Sequence, residues 1–383
     1  MSNRFILNPV SYHGYGALDN VKEVISDRKL KKIVIFVDEF LRDNKISEKV
    51  TSKLDEIKGV EYTYFTEIKP NPTITNVLNG LKALKEFEAD GIIAIGGGSV
   101  MDCAAGAGII NTNPEFSDVR SLEGVAPTKN YSTPIIAIPT TAGTAAEVTI
   151  NYVITDENKQ KKMVCVDPHS IPIAAIVDPE MMESMPYNLT AATGMDALTH
   201  AIEGYITKDA NDLSDMFHLK AIELISHYLP EACENDKEAR EKMALGQYIA
   251  GMGFSNVGLG LVHSMAHPLG ALYDTPHGVA NAILLPTVME YNAEYTGNKY
   301  KDIAKAMGVK NTESMNENEF RKAAIESVKK LSRNVKIPSN LKNIVKKDDI
   351  DFLAQSAMDD ACRPGNPKDP TKEDIIELYN SLI

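Results

Sequence analysis

The spacing of apolar residues divides the chain into two halves that differ in secondary structure. In the first half, short apolar runs typical of buried parallel strands alternate with longer runs whose apolar residues recur at helical spacing. This alternation predicts a mostly parallel sheet with helices on both faces. We predict strands at 31–38, 60–65, 91–95, 135–138 and 173–177, helices at 46–57, 73–87 and 103–110, and a β-rich stretch at 145–155 with a hairpin partner at 163–166.

From residue 186 onward the pattern is helical, and Thr190 or Thr193 is predicted to cap the first helix. The change in pattern predicts two domains. They are an α/β domain with a Rossmann-like parallel sheet over residues 1–185 and an all-α domain over residues 186–383. The predicted helices are 189–207, 212–228, 236–254, 257–273, 278–293, 299–306, 317–334, 348–358 and 372–381.

Length and composition narrow the class of protein. The 383 residues exceed what one compact core holds, and the apolar fraction of 43% is that of an ordinary globular protein. A formal net charge of −13 argues against nucleic acid or an anionic membrane as the main partner. The four cysteines are scattered, and no apolar run approaches the ~20 residues that span a bilayer, so we expect a cytoplasmic protein without membrane contacts.

Two loops that follow predicted strands are candidates for holding phosphate. Gly96, Gly97 and Gly98 lead from a strand into a helix, whose first N–H groups can then approach phosphate oxygens. Taken alone, this loop fits a tight turn without a ligand equally well. The loop at 139–144 adds three threonine hydroxyls and another glycine after the next strand. Because ligands of such sheets bind at the carboxyl ends of strands, the two loops together predict a pyrophosphate site.

Asp38 closes the first clear strand, where an acid can accept hydrogen bonds from an adenosine ribose and repel a 2′-phosphate. We therefore expect NAD rather than NADP. A solvated strand end or a helix cap is the alternative role for this carboxylate. Lys159, Lys161 and Lys162 lie near the predicted hairpin; most of them fit a solvated turn, and one could reach the cofactor.

Acid and imidazole side chains at helical spacing predict a metal site in the second half. Asp196 and His200 are four residues apart, as are His263 and His267, and His277 follows in Thr-Pro-His-Gly. Side chains four apart share one face of a helix, so each pair can point at one spot. One carboxylate and three imidazoles suit a divalent transition metal, Zn²⁺ as well as Fe²⁺. The alternative is that these are core or surface histidines whose spacing is coincidental.

Four motifs resemble the iron-dependent, group III alcohol dehydrogenases, and the resemblance runs from end to end. They are Gly-Gly-Gly-Ser-x-x-Asp at 96–102, Pro-Thr-Thr-Ala-Gly-Thr-x-x-Glu at 139–147, Gly-x-Asp-Ala-Leu-Thr-His-Ala-x-Glu at 194–203, and His-x-x-x-His followed by Pro-His-Gly at 263–278. Further stretches, such as Val-Thr-Ile-Asn-Tyr-Val-Ile-Thr-Asp-Glu at 148–157, are similar to the members that act on lactaldehyde. The implied fold is the dehydroquinate synthase-like fold of iron alcohol dehydrogenases.

The resemblance implies a role for each candidate residue. Asp196, His200, His263 and His277 are expected to hold one Fe²⁺, while His267 faces cofactor and substrate as the catalytic histidine. The expected walls of a small-aldehyde pocket are Asn151, Val153, Phe254 and Cys362. The expected dinucleotide contacts are Asp38, Asn71, Gly97, Gly98, Ser99, Asp102, Thr140, Thr141, Thr144 and Lys162.

The activity that the resemblance implies is reversible, NAD-dependent hydride transfer to a short aldehyde such as lactaldehyde, giving a diol, with Fe²⁺ as the Lewis acid. Action on 1,3-propanediol, butanol or ethanol is the nearest alternative. A zinc lyase-type enzyme like dehydroquinate synthase would need a basic cluster, whereas Leu, Met, Ala and Gly surround the predicted ligands. A scaffold that binds metal or nucleotide without turnover is a third interpretation. Family members are often homodimers joined through N-terminal strands, which the Phe5-Ile6-Leu7 run would suit, although the edge of a monomeric sheet would show the same run.

Overall fold

The computed structural model describes residues 4–159 and 161–383. The chain forms two compact units, Met1–Ser184 and Met185–Ile383. Strands and helices alternate along the first unit. Its strands are β1 (Val10–His13), β2 (Lys32–Val37), β3 (Glu61–Phe65), β4 (Gly91–Gly96), β5 (Gly124–Val125), β6 (Ile135–Pro139), β7 (Asn151–Asp156), β8 (Lys161–Val166) and β9 (Ala174–Val177). Its helices are α1 (Val21–Arg28), α2 (Glu39–Asp43), α3 (Glu48–Leu54), α4 (Ile74–Phe87) and α5 (Gly98–Thr112).

A six-stranded parallel sheet forms the centre of the first unit, in the order β1-β9-β6-β4-β2-β3. Strands β2, β4 and β6 are neighbours, with Val37 opposite Ile95 and Gly96 opposite Pro139. Because these strands run in parallel, their carboxyl ends meet at one edge of the sheet. The loops that follow them therefore lie at that edge.

The inner strands of the large sheet are buried on both faces, which explains why β2, β4, β6 and β9 are nearly continuous apolar runs. Along β2, Ile33, Ile35 and Val37 join one core with α1 and α3, whereas Val34 and Phe36 join another with α4 and α5. Successive side chains of a strand point to opposite faces, so a strand without a polar position fills two cores. The predicted parallel α/β fold is confirmed.

Two local predictions need correction. The stretch at 145–155 becomes a strand only at Asn151, because Ala145 takes a left-handed conformation with φ of 54° and the next residues turn. The helix predicted to start at residue 103 already starts at Gly98, so the glycine loop supplies its first turn. The Phe5-Ile6-Leu7 run has no regular secondary structure within this chain, and the strand at the sheet edge begins at Val10, so the pairing of this run with a second chain stays a prediction. The hairpin of β7 with β8 is present and antiparallel.

The second unit is all-α, as predicted, and the structure describes all of its residues. Its helices are α6 (Tyr187–Ile206), α7 (Asp212–Cys233), α8 (Lys237–Val257), α9 (Leu261–Tyr273), α10 (His277–Asn292), α11 (Lys299–Ala306), α12 (Glu317–Asn334), α13 (Ile350–Met358) and α14 (Lys372–Ser381). The central helix, α6, is mostly buried: residues 190–206 are buried except for the half-buried Thr193. This helix packs against α7, α8 and α10. No helix of the described residues is long and apolar enough to cross a membrane.

Candidate active site

Three helices of the second unit bring three of the predicted metal ligands together. Asp196 lies on α6, His263 lies on α9, and His277 opens α10. Their ligand atoms all lie within 4.8 Å of one another. Metal–ligand bonds of about 2.0–2.2 Å need donors grouped on this scale. Asp196 and His263 are buried, while the side chain of His277 is 29% exposed, so the group is open on one side.

Gly278 allows this convergence. It follows His277 in the first turn of α10, and a Cβ at this position would lie 2.2 Å from the carbonyl oxygen of Ala192 and 3.3 Å from Asp196 Cβ. Any other residue would push α10 away from α6, because heavy atoms do not approach to that distance without a bond. The glycine in Thr-Pro-His-Gly therefore sets the spacing between His277 and Asp196.

His200, the fourth predicted ligand, lies next to this group. Its ring stacks on the ring of His263 with 4.6 Å between ring centres, and on Phe254 with 4.3 Å. The helical spacing correctly put His200 on the same face of α6 as Asp196, since both side chains reach the same cluster. The structure thus groups three expected ligands closely and packs the ring of the fourth against one of them.

Asn281 lies one turn after His277 on α10 and touches all three donors. Its Nδ2 donates to Asp196 Oδ1 at 2.6 Å, and lies 3.2 Å from His263 Nε2 and 3.1 Å from His277 Nε2. A carboxylate oxygen and two imidazole nitrogens therefore converge on a single, partly positive group. This is the donor set that a divalent transition metal prefers, so the residues present fit the predicted ion.

A buried carboxylate, Glu203, orients the ring of His263. His263 Nδ1 lies 2.6 Å from Glu203 Oε2, within hydrogen-bond distance. Burial lowers the pKa of His263 to about 4, although the Asp196 carboxylate acts in the opposite direction. Burial raises the pKa of Glu203 to about 7, against the hydrogen bonds that it accepts from the backbone, including that of Val262. The ring is therefore uncharged at neutral pH, and its Nε2 is the nitrogen that can bind a metal.

A second carboxylate, Asp360, orients His267. Nδ1 of His267 donates to Asp360 Oδ2 at 2.7 Å, and its ring stacks on His277 with 5.5 Å between ring centres. Burial alone would raise the pKa of Asp360, but the charge and hydrogen bond of His267 outweigh burial and hold it well below its usual value. The nitrogen of His267 that remains for proton exchange is therefore Nε2.

His267, Asp360 and Cys362 form another group whose potential ligand atoms lie within 4.8 Å of one another. The backbone N–H of Cys362 donates to Asp360 Oδ1 at 2.9 Å. Burial, followed by the charge of Asp360, raises the pKa of the Cys362 thiol well above its usual value. Metals bind the thiolate, so this protonated thiol makes the group a poor metal site.

In the first unit, the glycine loop and the threonine loop lie side by side. A Cβ on Gly97 would lie 3.2 Å from the side chain of Thr141, and one on Gly98 would lie 3.0 Å from Thr144. Thr141 Oγ1 is buried and has no hydrogen-bond partner among the described residues. Buried hydroxyls normally have a partner, so this oxygen is suited to a bond with a bound ligand. The backbone N–H of Thr140 joins the two loops through the carbonyl of residue 96 at 3.0 Å.

Asp38 follows β2 at the same edge of the sheet and is the N-cap of α2. Its Oδ1 accepts a hydrogen bond from the backbone N–H of Leu41 at 2.8 Å. Asp38 therefore does cap a helix, as the alternative interpretation predicted. This role uses only one carboxylate oxygen, so the other oxygen can still accept a hydrogen bond from a ribose. Asn71 takes a left-handed conformation with φ of 56°, and its N–H donates to Ser99 Oγ at 3.2 Å.

Asp102 lies on α5 next to the small sheet. Burial raises the pKa of its carboxyl to about 7, opposed by a hydrogen bond from the backbone of Val153 and by the charge of Lys162. Asn151 and Val153 are on β7, and Lys162 is on the antiparallel β8. Three predicted cofactor and substrate contacts, Asp102, Val153 and Lys162, are therefore close neighbours, whereas Phe254 and Cys362 belong to the second unit.

Comparison with known proteins agrees with this architecture in both halves. Residues 9–179 match the family described as iron-containing alcohol dehydrogenase, and residues 190–383 match the C-terminal part of Fe-containing alcohol dehydrogenases. The chain belongs to the iron-containing alcohol dehydrogenase family. It is therefore an oxidoreductase.

Relatives within the iron-containing alcohol dehydrogenases match over the full length of the chain. The lactaldehyde reductase of Escherichia coli is 57% identical over 382 residues, which cover 100% of both chains. The NAD-dependent methanol dehydrogenase of Bacillus methanolicus is 37% identical over 382 residues, or 99% of both chains. A crystal structure of 1,3-propanediol oxidoreductase superimposes with a TM-score of 0.96 at 38% identity and covers 100% of both chains.

Three residues of this iron-containing alcohol dehydrogenase were given no role from its sequence, although Glu203 closes the motif at 194–203: Glu203, Asn281 and Asp360. Helical spacing could have found two of them, because Glu203 is seven residues after Asp196 and Asn281 is four after His277. No local pattern identifies Asp360, which is 93 residues from its partner in the chain.

Proposed function

We propose that this enzyme is an NAD-dependent, iron-assisted dehydrogenase that interconverts lactaldehyde and 1,2-propanediol. The convergence of Asp196, His263 and His277 within 4.8 Å is the observation that carries the proposal. The 57% identity with lactaldehyde reductase over the full chain supports the choice of substrate. Another short alcohol, such as 1,3-propanediol, is the second candidate, because it is the substrate named for a structural relative with a TM-score of 0.96.

When bound, the divalent metal supplies a Lewis acid for the carbonyl oxygen, and NADH supplies the hydride. Asp196, His200, His263 and His277 are the residues that would hold the metal. The family supports Fe²⁺ as this metal. The donors themselves suit Zn²⁺ equally, so the choice depends on family membership and not on the ligand types.

Most of the cofactor contacts that we propose follow the carboxyl ends of strands in the large sheet. Gly97, Gly98 and Ser99 supply N–H groups at the start of α5, where the helix favours a phosphate. The neighbouring hydroxyls of Thr140, Thr141 and Thr144 supply hydrogen bonds. We assign Asp38 to the ribose and Asn71, Asp102 and Lys162 to further contacts with the dinucleotide.

His267 is the residue that we assign to proton transfer. Its Nδ1 is engaged by Asp360 at 2.7 Å, so its Nε2 takes or gives the proton. A positioned imidazole is suited to this work because its free ring nitrogen can both accept and donate a proton. Asn151, Val153, Phe254 and Cys362 are the proposed contacts of the substrate carbon chain.

The proposal is tested by metal analysis of the purified protein together with NADH oxidation on lactaldehyde, glycolaldehyde, propanal, butanal and 3-hydroxypropanal. We expect one metal per chain and the highest kcat/KM with lactaldehyde. A preference for 3-hydroxypropanal would favour the second candidate. Absence of turnover with all five aldehydes, despite bound metal and cofactor, would favour a binding scaffold and overturn the proposal.

The identity of the metal is tested by loading metal-free protein with Fe²⁺ or Zn²⁺ under anaerobic conditions. We expect activity with Fe²⁺ that is lost on exposure to air or peroxide, because Fe²⁺ can be oxidised in its site. Full activity with Zn²⁺ alone after aerobic storage would remove iron from the proposal. Light scattering on the purified enzyme tests the expected homodimer, and cell fractionation tests the expected cytoplasmic location.

A further inference from the structure

Glu203 uses both of its carboxylate oxygens at the start of α9. Its Oε1 accepts from the backbone N–H of Val262 at 2.7 Å. Its Oε2 lies 2.6 Å from Nδ1 of His263 and 3.4 Å from the backbone nitrogen of that residue. Only 2% of the Glu203 surface is exposed, so these protein donors take the place of water.

We infer that Glu203 is a positioning residue that fixes the tautomer of His263 and couples it to the first turn of α9. A neutral imidazole carries one N–H, and the bond to Glu203 places it on Nδ1. The lone pair is then on Nε2, which points to the side of the ring where Asn281 Nδ2 lies at 3.2 Å. The predicted tautomer of His263 does not depend on the proposed function. The predicted effect of Glu203 on metal binding rests on that function.

A carboxylate is required at this position because two donors must be accepted at once. Glutamine has the same shape but only one acceptor oxygen, and its other terminal atom is a donor. If the glutamine oxygen faces Val262, its NH₂ group faces His263 Nδ1 and stabilises the tautomer with a proton on Nε2. If the terminal amide of the glutamine is rotated by half a turn, its NH₂ group faces the N–H of Val262, and two donors then lie against each other. In either orientation one hydrogen bond of residue 203 is lost, although the side chain keeps the same size.

The first test measures the tautomer directly in the metal-free enzyme. Histidine labelled with ¹⁵N distinguishes protonated from unprotonated ring nitrogens by chemical shift, and His263→Asn assigns the signal. We expect a proton on Nδ1 in the unsubstituted enzyme and a shift toward Nε2 in Glu203→Gln. A proton on Nε2 of His263 in the unsubstituted enzyme would overturn the inference, whether or not Glu203→Gln folds.

The second test measures Zn²⁺ binding to metal-free protein by competition with a chromophoric chelator. We expect Glu203→Gln to bind Zn²⁺ about 10- to 100-fold more weakly, the usual effect of losing a carboxylate that orients a histidine ligand. Asp178→Asn is the matched control, because Asp178 is also buried and accepts from two backbone N–H groups, those of Leu18 and Glu180, at 3.0 Å each. It should lose stability but keep its affinity for Zn²⁺.

The outcomes separate this inference from the proposed function. Equal Zn²⁺ affinity in Glu203→Gln and the unsubstituted enzyme would overturn the positioning role while leaving the metal site intact. Zn²⁺ binding that His263→Asn leaves unchanged would instead overturn the proposed metal site, and the tautomer measurement would still decide the role of Glu203.

Discussion

The two regions that the proposed reaction requires are built in opposite ways. In the loops after β4 and β6, the proposed ligand contacts are backbone N–H groups and short hydroxyls, and the essential feature is the absence of side chains at Gly97 and Gly98. In the cluster on α6, α9 and α10, the functional atoms are at the ends of side chains, and buried carboxylates orient two of the rings. Substitutions should therefore act by filling space in the first region and by removing or turning a donor in the second.

The largest effect is expected within the side-chain cluster, from His263→Ala compared with His267→Ala. His263→Ala should lose both bound metal and activity, because it removes one of three converging donors. His267→Ala should keep its metal and lower kcat by about 10²- to 10⁴-fold, the usual contribution of a general acid–base group. Metal content by mass spectrometry and steady-state kinetics measure the two effects. Equal loss of metal in both variants would contradict the assignment of His263 as a metal ligand and His267 as a proton-transfer residue.

The sequence predicted those parts of the cluster that depend on neighbours along one helix. Asp196 and His200 are four residues apart on α6, so their shared face follows from helical spacing. The bonds of Glu203 to His263 and of His267 to Asp360 span 60 and 93 residues, which only the packing of separate helices determines.

The predicted cap of α6 was wrong for a related reason. The helix begins at Tyr187, after Pro186, and neither threonine caps it through its side chain. The hydroxyl of Thr190 instead donates to the carbonyl of Pro186 at 3.2 Å, and that of Thr193 to the carbonyl of Leu189 at 2.9 Å. Threonine hydroxyls can bond either forward at a cap or backward within a helix, and the sequence does not decide between these.

At Gly278 the cluster depends on missing atoms, as the loops do, so Gly278→Ala should sharpen the comparison. The new Cβ would meet the carbonyl oxygen of Ala192 at 2.2 Å, and backbone cannot move aside as a side chain can. We expect a loss of about 1–3 kcal/mol in stability and weaker metal binding. Gly246→Ala on α8 is the control, because its nearest neighbour is an Ile225 side-chain atom at 3.1 Å. Unchanged metal affinity in Gly278→Ala would show that the helix spacing does not matter for the ligands.

The second unit should also respond to acid through His218, which lies on α7 with neither ring nitrogen bonded to a partner among the described residues. Burial, followed by the charges of Lys299 and His200, lowers its pKa to about 3. Below the unfolded value of about 6.5, the unfolded chain binds the proton first, so stability falls as the pH falls.

Because His218 takes up one proton, it can change the free energy of unfolding by at most about 1.4 kcal/mol per pH unit. His218→Asn, which is smaller and does not titrate, should reduce the loss of stability between pH 7 and pH 5 in urea unfolding of the metal-free protein. His227→Asn, an exposed change on the same helix, is the control. An acid slope that is the same in both variants would assign the effect to other groups.

Gly98→Ala tests the loop region by adding only a methyl group. Its Cβ would lie 3.0 Å from Thr144 Cγ2, which narrows the space beside the threonine loop. We expect the Kd of NADH to rise about tenfold, or ~1.4 kcal/mol, with metal content unchanged. Gly106→Ala on the same helix meets the end of the flexible Ile154 side chain at 3.0 Å and should bind NADH normally. Equal affinities in the two variants would argue against close approach of the dinucleotide to this loop.

The smallest effect is expected at Asp38, where one side chain is assigned two roles that substitution can separate. In the unsubstituted enzyme, the backbone N–H of Leu41 donates to Asp38 Oδ1 at 2.8 Å. Asp38→Asn keeps an oxygen that can accept this bond but removes the negative charge that would repel a 2′-phosphate. It should improve the use of NADPH relative to NADH by about tenfold at most, since a like-charge contact near solvent costs about 1 kcal/mol. Asp38→Ala should change cofactor preference in the same direction and also lose about 1 kcal/mol of stability, the usual cost of removing an N-cap. If both variants lose stability without any change in the NADPH to NADH ratio of kcat/KM, Asp38 is a helix cap alone, and the loop region discriminates between the cofactors by other groups.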